Sequence, residues 1–471
     1  MRETKADRGD RSIRVSSLFN RFDAVEFAAL VQLWCAILLC SGFVLALTSS
    51  NTSDLAFEDR DAGTPLLQFI TFAAYGPALL FILARPGDFM RTVTRGWACS
   101  LLLLIALASV MWSVDPFVSI RRSIALVIAM LFVIHAASWF TPQRFIRQLA
   151  FALGVLLVLS LIAAAVPGYG IHPNGPHIGK WRGVFMSKNT LGLVCGVACF
   201  TFVAMLAMTP KPSRERWLWW GLLLLGGILI LLANARTSLI GFIAALAAIA
   251  AAKMLYLPTG WQKKMAMSLR VAVVSAATIF VVVIQPVAAA VILNILGRDM
   301  TLSGRTNLWA YAIHKGLDRP WLGAGFKTFW VDALTLDLRV LHEHWAIEGE
   351  TQAMTANAHD GYLDAWLELG VPGLVLILIM FWVVARRANI ALARTRDPLF
   401  LWYVGAITFV AFYYLTNSYI MKHNELSWFI AAYSFYTMSA LRFPPSRAVG
   451  SVPGRTALSG NRWSTISATG R

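Results

Sequence analysis

The feature that most constrains this chain is the recurrence of unbroken apolar runs about as long as a bilayer is thick. A helix rises ~1.5 Å per residue, so crossing a ~30 Å hydrocarbon core takes about 20 apolar residues. Runs near that length fall at about 28–48, 66–84, 97–112, 123–140, 149–166, 190–208, 217–233, 238–257, 270–294, 366–385, 399–416 and 426–441. They are continuous, as in Leu101-Leu102-Leu103-Leu104-Ile105, whereas barrel strands alternate apolar and polar residues over about ten positions. The expectation is an all-α polytopic integral membrane protein with about 12 transmembrane helices. Only 14% of the 471 residues are charged, against about a quarter in a soluble domain, too few to coat a water-facing globule of this size. Gln285-Pro286 inside the ninth run predicts a kink or a broken helix.

Basic residues set the orientation. Cytoplasmic loops are enriched in Lys and Arg; with the N-terminus inside, 27 of the 41 basic residues fall on the inner side and 14 outside. The inner set includes Arg2, Lys5, Arg8, Arg11, Arg14 and Arg21, then Lys211, Arg214 and Arg216, then Arg386, Arg387, Arg394 and Arg396. Both termini are expected in the cytoplasm. The polar stretches 1–25 and 443–471 read as disordered tails, and 26–442 as the transmembrane domain, with a long outer loop at about 295–365. The net charge of +17 is read as topogenic loops beside anionic lipid. It is not read as a nucleic-acid surface, because no aromatic-interleaved basic patch or finger spacing accompanies it. The first apolar run is too long for a typical signal peptide and is expected to remain as an anchor.

Cys35, Cys40, Cys99, Cys195 and Cys199 all lie in apolar runs, so no disulfide framework is implied. Cys195 and Cys199 share a helix face, yet nothing nearby completes a metal shell.

The outer basic residues run against the topological trend, and several sit in compact polar segments beside span ends. These are Lys180-Trp181-Arg182-Gly183-Val184-Phe185-Met186-Ser187-Lys188-Asn189; Asn234-Ala235-Arg236-Thr237-Ser238; Leu302-Ser303-Gly304-Arg305-Thr306; and Asn357-Ala358-His359-Asp360-Gly361-Tyr362-Leu363. Guanidinium is a planar fork of donors suited to phosphate oxygens, and imidazole accepts a proton near neutrality. The inventory suits an anionic, phosphate-bearing substrate at the outer surface. Each Arg taken singly has a plainer alternative, namely snorkelling, lipid contact or helix capping.

With Arg319-Pro320-Trp321-Leu322-Gly323-Ala324-Gly325-Phe326 and Leu369-Gly370-Val371-Pro372-Gly373 added, those segments resemble the O-antigen ligase and exopolysaccharide polymerase family of bacterial envelope proteins. The resemblance covers about residues 95 to 440 and includes the order of spans. Two positions depart from it: Ser187 stands where relatives often carry His or Asn, and Asp360 where many carry Asn.

The resemblance implies a GT-C-like, all-helical membrane glycosyltransferase of the inner membrane with a periplasmic site and no metal or other cofactor. It implies transfer of an undecaprenyl-diphosphate-linked oligosaccharide to an acceptor glycan by an inverting displacement. Arg182, Arg236 and Arg305 match the family's arginines and are the candidate diphosphate-binding residues, with Lys188 beside them. His359 matches the family's histidine and is the candidate catalytic base. The Arg182 and Arg305 segments are worded closest to the polymerase branch, whose acceptor is another lipid-linked repeat unit. A ligase acting on lipid A core stays open, as does a transporter of lipid-linked sugar, although no internal repeat of the transporter kind is evident. Other exopolysaccharide export components are candidate partners; nucleic acid is not.

In the long loop, Thr306 to Lys315 and Phe326 to His342 show helical spacing, with Trp309, Phe329 and Trp330 expected to be exposed on a membrane surface or a sugar cleft. His342-Glu343-His344 with Glu348 and Glu350 invites a metal site, but the mixture is common on surface loops and is read as one.

Overall fold

The computed structural model describes residues 9–48, 65–173, 178–254, 305–333 and 357–442. The ninth expected span, most of the long loop with its His342-Glu343-His344 stretch, and the C-terminal tail lie outside these residues. Among the described residues the chain is helical, with one isolated antiparallel bridge between Ile171 and Trp181.

Sixteen helices are numbered here among the described residues. The first group is α1 (Gly9–Cys40), α2 (Phe43–Thr48), α3 (Pro65–Tyr75), α4 (Ala78–Ala84), α5 (Pro86–Arg95) and α6 (Trp97–Ala108). Next come α7 (Pro116–Trp139), α8 (Pro142–Ala164), α9 (Lys188–Met208), α10 (Arg214–Leu232) and α11 (Arg236–Met254). The remainder are α12 (Arg305–Gly316), α13 (Phe329–Ala333), α14 (Gly361–Thr395), α15 (Leu399–Tyr413) and α16 (Leu426–Ala440). Among the described residues seven stretches are long and apolar enough to cross a membrane: Pro65–Ala84, α7, α8, α9, α10, α11 and α14. The pair Pro86–Arg95 and Trp97–Met111 would make an eighth, although it bends by 89°. Helical backbone already begins at Gly9, within the stretch expected to be a disordered tail, since each residue added to an existing helix gains a hydrogen bond without a new nucleus.

The starts of several helices follow from local chemistry. Asp115 accepts the Val118 N–H and Thr141 the Arg144 N–H, each just ahead of a proline at the first helical position. A capping oxygen satisfies an orphan donor there, and proline lacks the N–H that would otherwise need a partner.

Burial divides the bundle into a core and a lipid belt. In α16 every residue from Leu426 to Met438 is buried, and α9 and α15 are nearly as enclosed. A helix that is apolar on all sides belongs inside. Peripheral helices show the converse, with Phe69, Leu80 and Leu224 each about two-thirds exposed or more. So much apolar surface is incompatible with water contact, and the chain is a multi-pass membrane protein.

The helix α14 breaks at Gly370, whose φ of +66° departs from helical geometry. Pro372 has no N–H to offer the Glu368 carbonyl four residues back. The segment 319–328 repairs the break: Gly325 N–H donates to Glu368 O at 3.0 Å, Ala324 N–H to Leu367 O at 2.8 Å, and Val371 N–H to Pro320 O at 3.0 Å. A Cβ on Gly370 would stand 2.1 Å from the Trp321 carbonyl oxygen, so only glycine allows this approach. On its other side the segment is held by Phe326 N–H to Ser109 Oγ at 2.9 Å and by Trp112 Nε1 to Leu322 O at 2.9 Å. The glycine-rich motif is therefore a strap across a broken helix.

Phe329 and Trp330 correct an expectation. They are 8% and 5% exposed, and with the half-buried Trp309 they close a small second core around Ala312 and Leu367. Helical spacing reveals a shared face but not what covers it; here α14 does, and Trp330 Nε1 donates to Asp364 Oδ1 at 2.8 Å.

Candidate functional site

One end of the bundle gathers the polar motifs. The helices α7, α9, α11, α14 and α16 begin there, and α6, α8, α10 and α15 end there. Hydrogen bonds tie these ends together: Trp181 N–H reaches Leu232 O at 3.4 Å, Gly361 N–H reaches Tyr414 O at 2.8 Å, and Thr416 Oγ1 donates to Thr237 Oγ1 at 2.8 Å.

Arg182 leads a tight turn beside the end of α8. Its Nε donates to Tyr169 O at 2.7 Å and its Nη2 to Gly168 O at 3.5 Å, and the residue is half-buried. Two carbonyls thus fix the direction of a fork that has five donors. The next residue, Gly183, adopts φ +60°, and a Cβ there would strike Ser160 at 2.5 Å. The motif needs glycine at this corner.

Lys188 and Arg236 are each the first residue of a helix, α9 and α11 respectively. Lys188 lies within electrostatic reach of both Lys180 and Arg236. The two helix starts are locked together: a Cβ on Gly192 would sit 2.2 Å from Ala235 Cβ. Ser187 caps α9 by accepting the Thr190 N–H at 3.1 Å. Serine and asparagine are comparable caps, which explains why this departure from the relatives costs the fold nothing.

Arg305 is likewise the first residue of its helix, α12. One turn later, ~6 Å along the axis, Trp309 Nε1 donates to the Ala358 carbonyl at 2.8 Å. The start of α12 is thereby docked beside the histidine segment.

His359 has a left-handed backbone with φ +52°, uncommon for a residue with a side chain. It is held from both sides: its N–H donates to Asn357 Oδ1 at 3.0 Å, and the preceding Ala358 N–H donates to Asp364 Oδ1 at 3.0 Å. Asp360 caps α14, accepting the Tyr362 and Leu363 N–H groups at 2.9 and 3.0 Å. An Asn would cap equally well.

Three cations at helix starts oppose the helix dipole, which favours negative charge at that end. The same arrangement, backbone N–H groups plus cationic side chains, is a ready anion site. Among the described residues no group of three or more His, Cys, Asp or Glu could hold a metal ion.

Sequence reasoning missed a charged group beneath these residues. Lys327, with φ +59°, pairs with Glu368 at 3.3 Å and donates to Ile420 O at 3.3 Å. Arg122 Nη1 donates to the Lys327 carbonyl at 2.5 Å. Glu368 and Asp364 are both buried, one helical turn apart on α14. Two signals were available: Arg122 and Lys327 belong to the outer basic set, and two acids lead directly into an apolar span, where charge is seldom idle.

A family profile described as O-antigen ligase matches residues 220–378, a region that includes Arg236, Arg305 and His359 and follows Arg182 and Lys188. The chain is also 25% identical over 324 residues to the "Exopolysaccharide production protein ExoQ" of Rhizobium meliloti (strain 1021), an alignment covering 65% of this chain and 69% of that protein. Together with the helical, membrane-crossing architecture, these matches support the likeness of the chain to O-antigen ligase and exopolysaccharide-production membrane proteins.

Proposed function

We propose that this protein is a glycan polymerase of the bacterial envelope, joining lipid-diphosphate-linked repeat units on the periplasmic side of the inner membrane. The observation that carries the reading is the meeting of Arg182, Lys188 and Arg236 with the His359 segment at one end of the bundle. Cations gathered at one surface and a histidine held in a constrained turn are what a phosphate-leaving transfer needs.

In the proposed step, an acceptor hydroxyl oxygen attacks the anomeric carbon of the carrier-linked sugar. The bond from that carbon to the diphosphate oxygen breaks, and undecaprenyl diphosphate departs with the electron pair. His359 takes the hydroxyl proton. Arg182, Arg236 and Arg305, with Lys188, hold the charge that gathers on the diphosphate, the task that preorganised donors serve best. On this reading the arginines and helix starts fill the place that a divalent cation takes in other phosphate chemistry. The likeness to a protein named for exopolysaccharide production favours polymerase over ligase.

The test is purified protein with a lipid-linked oligosaccharide. A ladder of longer products is the expected result. A single transfer to lipid A core would make the protein a ligase instead, and movement across a vesicle membrane without a new glycosidic bond would make it a transporter.

A further inference from the structure

The end of the bundle opposite the candidate site carries a second concentration of positive charge, and there it lines a cleft. The cleft encloses about 640 Å³ between the end of α9, the start of α10, the end of α11 and the turn from α14 to α15. Lys211, Arg216, Lys253 and Arg396 line it together with apolar groups that include Trp220 and Leu223, and no carboxylate is among the lining residues. The volume lies in the range of small-ligand sites, ~300–1,000 Å³.

The four cations are not equivalent. Arg216 is spent partly on structure, since its Nη1 donates to the Leu206 carbonyl and, at 2.9 Å, to the Thr209 carbonyl at the end of α9. Lys211, Lys253 and Arg396 are exposed. Of the acids next in sequence to the lining residues, Glu215 pairs with Arg147 at 3.2 Å, and Asp397 accepts the Leu399 N–H at 2.9 Å. Like charges gathered on apolar walls repel one another, and an anion in the cleft relieves that repulsion.

The position of the cleft says what kind of anion. Trp220 is 50% exposed, and Trp217, one turn earlier, is 79% exposed. Indole rings favour the headgroup level of a bilayer. Further along α10, Leu224 and Leu231 are 67% and 63% exposed, an apolar face suited to acyl chains. A basic cleft at headgroup depth, opening on an apolar helix face, matches a molecule with a phosphate at one end and hydrocarbon at the other.

We propose that this cleft binds the headgroup of an anionic phospholipid, with Lys211, Lys253 and Arg396 on the phosphate and the chains along α10. Basic pockets between transmembrane helices are suited to such headgroups. The site is separate from the one for the carrier diphosphate, which lies at the other end of the helices.

The test is native mass spectrometry of the full chain titrated with dioleoyl phosphatidylglycerol, dioleoyl phosphatidylcholine or inorganic phosphate. The cleft variant is Lys211→Gln/Lys253→Gln. A control, Arg91→Gln/Arg214→Gln, removes the same charge at the same end but outside the cleft. Retention of phosphatidylglycerol should fall roughly tenfold or more in the cleft variant and change little in the control. Equal losses in both variants, or equal retention of phosphatidylcholine by the parent protein, would overturn the proposal. So would displacement of the lipid by millimolar inorganic phosphate, which would make the cleft a site for the free anion. A photoactivatable phosphatidylglycerol on the unaltered protein gives a second readout. Crosslinks should map to peptides within 203–224, and labelling elsewhere alone counts against the site.

Discussion

The Lys327 ammonium stands 3.3 Å from the Glu368 carboxylate and 3.3 Å from the Ile420 carbonyl oxygen. One side chain thus joins the strap, the broken helix α14 and the loop between α15 and α16. The carboxylate is nearly enclosed, with the Glu368 side chain 6% exposed against 18% for Lys327. Breaking a buried pair by removing one partner typically costs about 3–5 kcal/mol, whereas replacing both is far milder. Lys327→Met should therefore lower the thermal unfolding midpoint in detergent sharply, and Lys327→Met/Glu368→Gln should recover most of the loss. If the double variant were as unstable as the sum of its singles, the pair would not be the unit that matters.

Arg236 should show the opposite separation of stability from activity. It is exposed and stands at the start of α11, where positive charge opposes the dipole by ~0.3–1 kcal/mol. Arg236→Ala should leave the protein as stable as before or slightly more so. Loss of a preorganised charge donor typically costs ~10²–10³ in turnover, so polymer formation should nearly vanish. Unfolding midpoints measured beside product ladders check both halves. Normal product from Arg236→Ala would remove it from the diphosphate clamp.

The contrast between these two residues shows what the sequence could disclose. Arg236 is legible because its whole context is local: a five-residue turn between two apolar runs leaves it nowhere but the membrane surface. The caps at Asp115 and Thr141 are legible for the same reason. Lys327 and Glu368 are 41 positions apart, and Arg122 lies 205 positions from the carbonyl it holds. No window of local periodicity contains such a pair; it exists only once the strap has bridged the break at Gly370. The misjudged exposure of Phe329 and Trp330 has the same origin, since the surface that buries them arrives from α14.

Glu425 gives the loop between α15 and α16 a pH response. It is half-buried just ahead of α16, and burial pushes its carboxyl up to about 7 from an ordinary 4.5, with Lys422 pulling the other way. The folded state therefore favours the protonated form. Below about pH 4.5 both states hold the proton and Glu425's share of stability is fully present; as pH rises toward 7 the unfolded chain releases the proton first. Its share of stability thus falls across that window and is fully lost above it. Glu425→Gln keeps the neutral shape and should flatten this part of the profile, raising the unfolding midpoint at pH 8 more than at pH 5. An equal rise at both pH values would assign the effect to something other than this proton.

His359 calls for a variant chosen with its backbone in mind. At φ +52° an ordinary side chain is strained by roughly 1–2 kcal/mol, whereas Asn tolerates the left-handed region. His359→Ala would therefore mix a chemical loss with added strain. His359→Asn removes the imidazole while keeping a residue suited to that turn, and the Ala358 and Asp360 contacts on either side involve other atoms. General-base assistance is worth ~10²–10⁴ in rate, enough to empty a product ladder. The expected outcome is no polymer from His359→Asn at normal membrane abundance, with binding of lipid-linked substrate close to the unaltered protein. His359→Ala should match it in activity but unfold at a lower temperature. Should His359→Asn retain most of the turnover while folding normally, His359 would be a hinge of the turn and the proton would have to leave by another group.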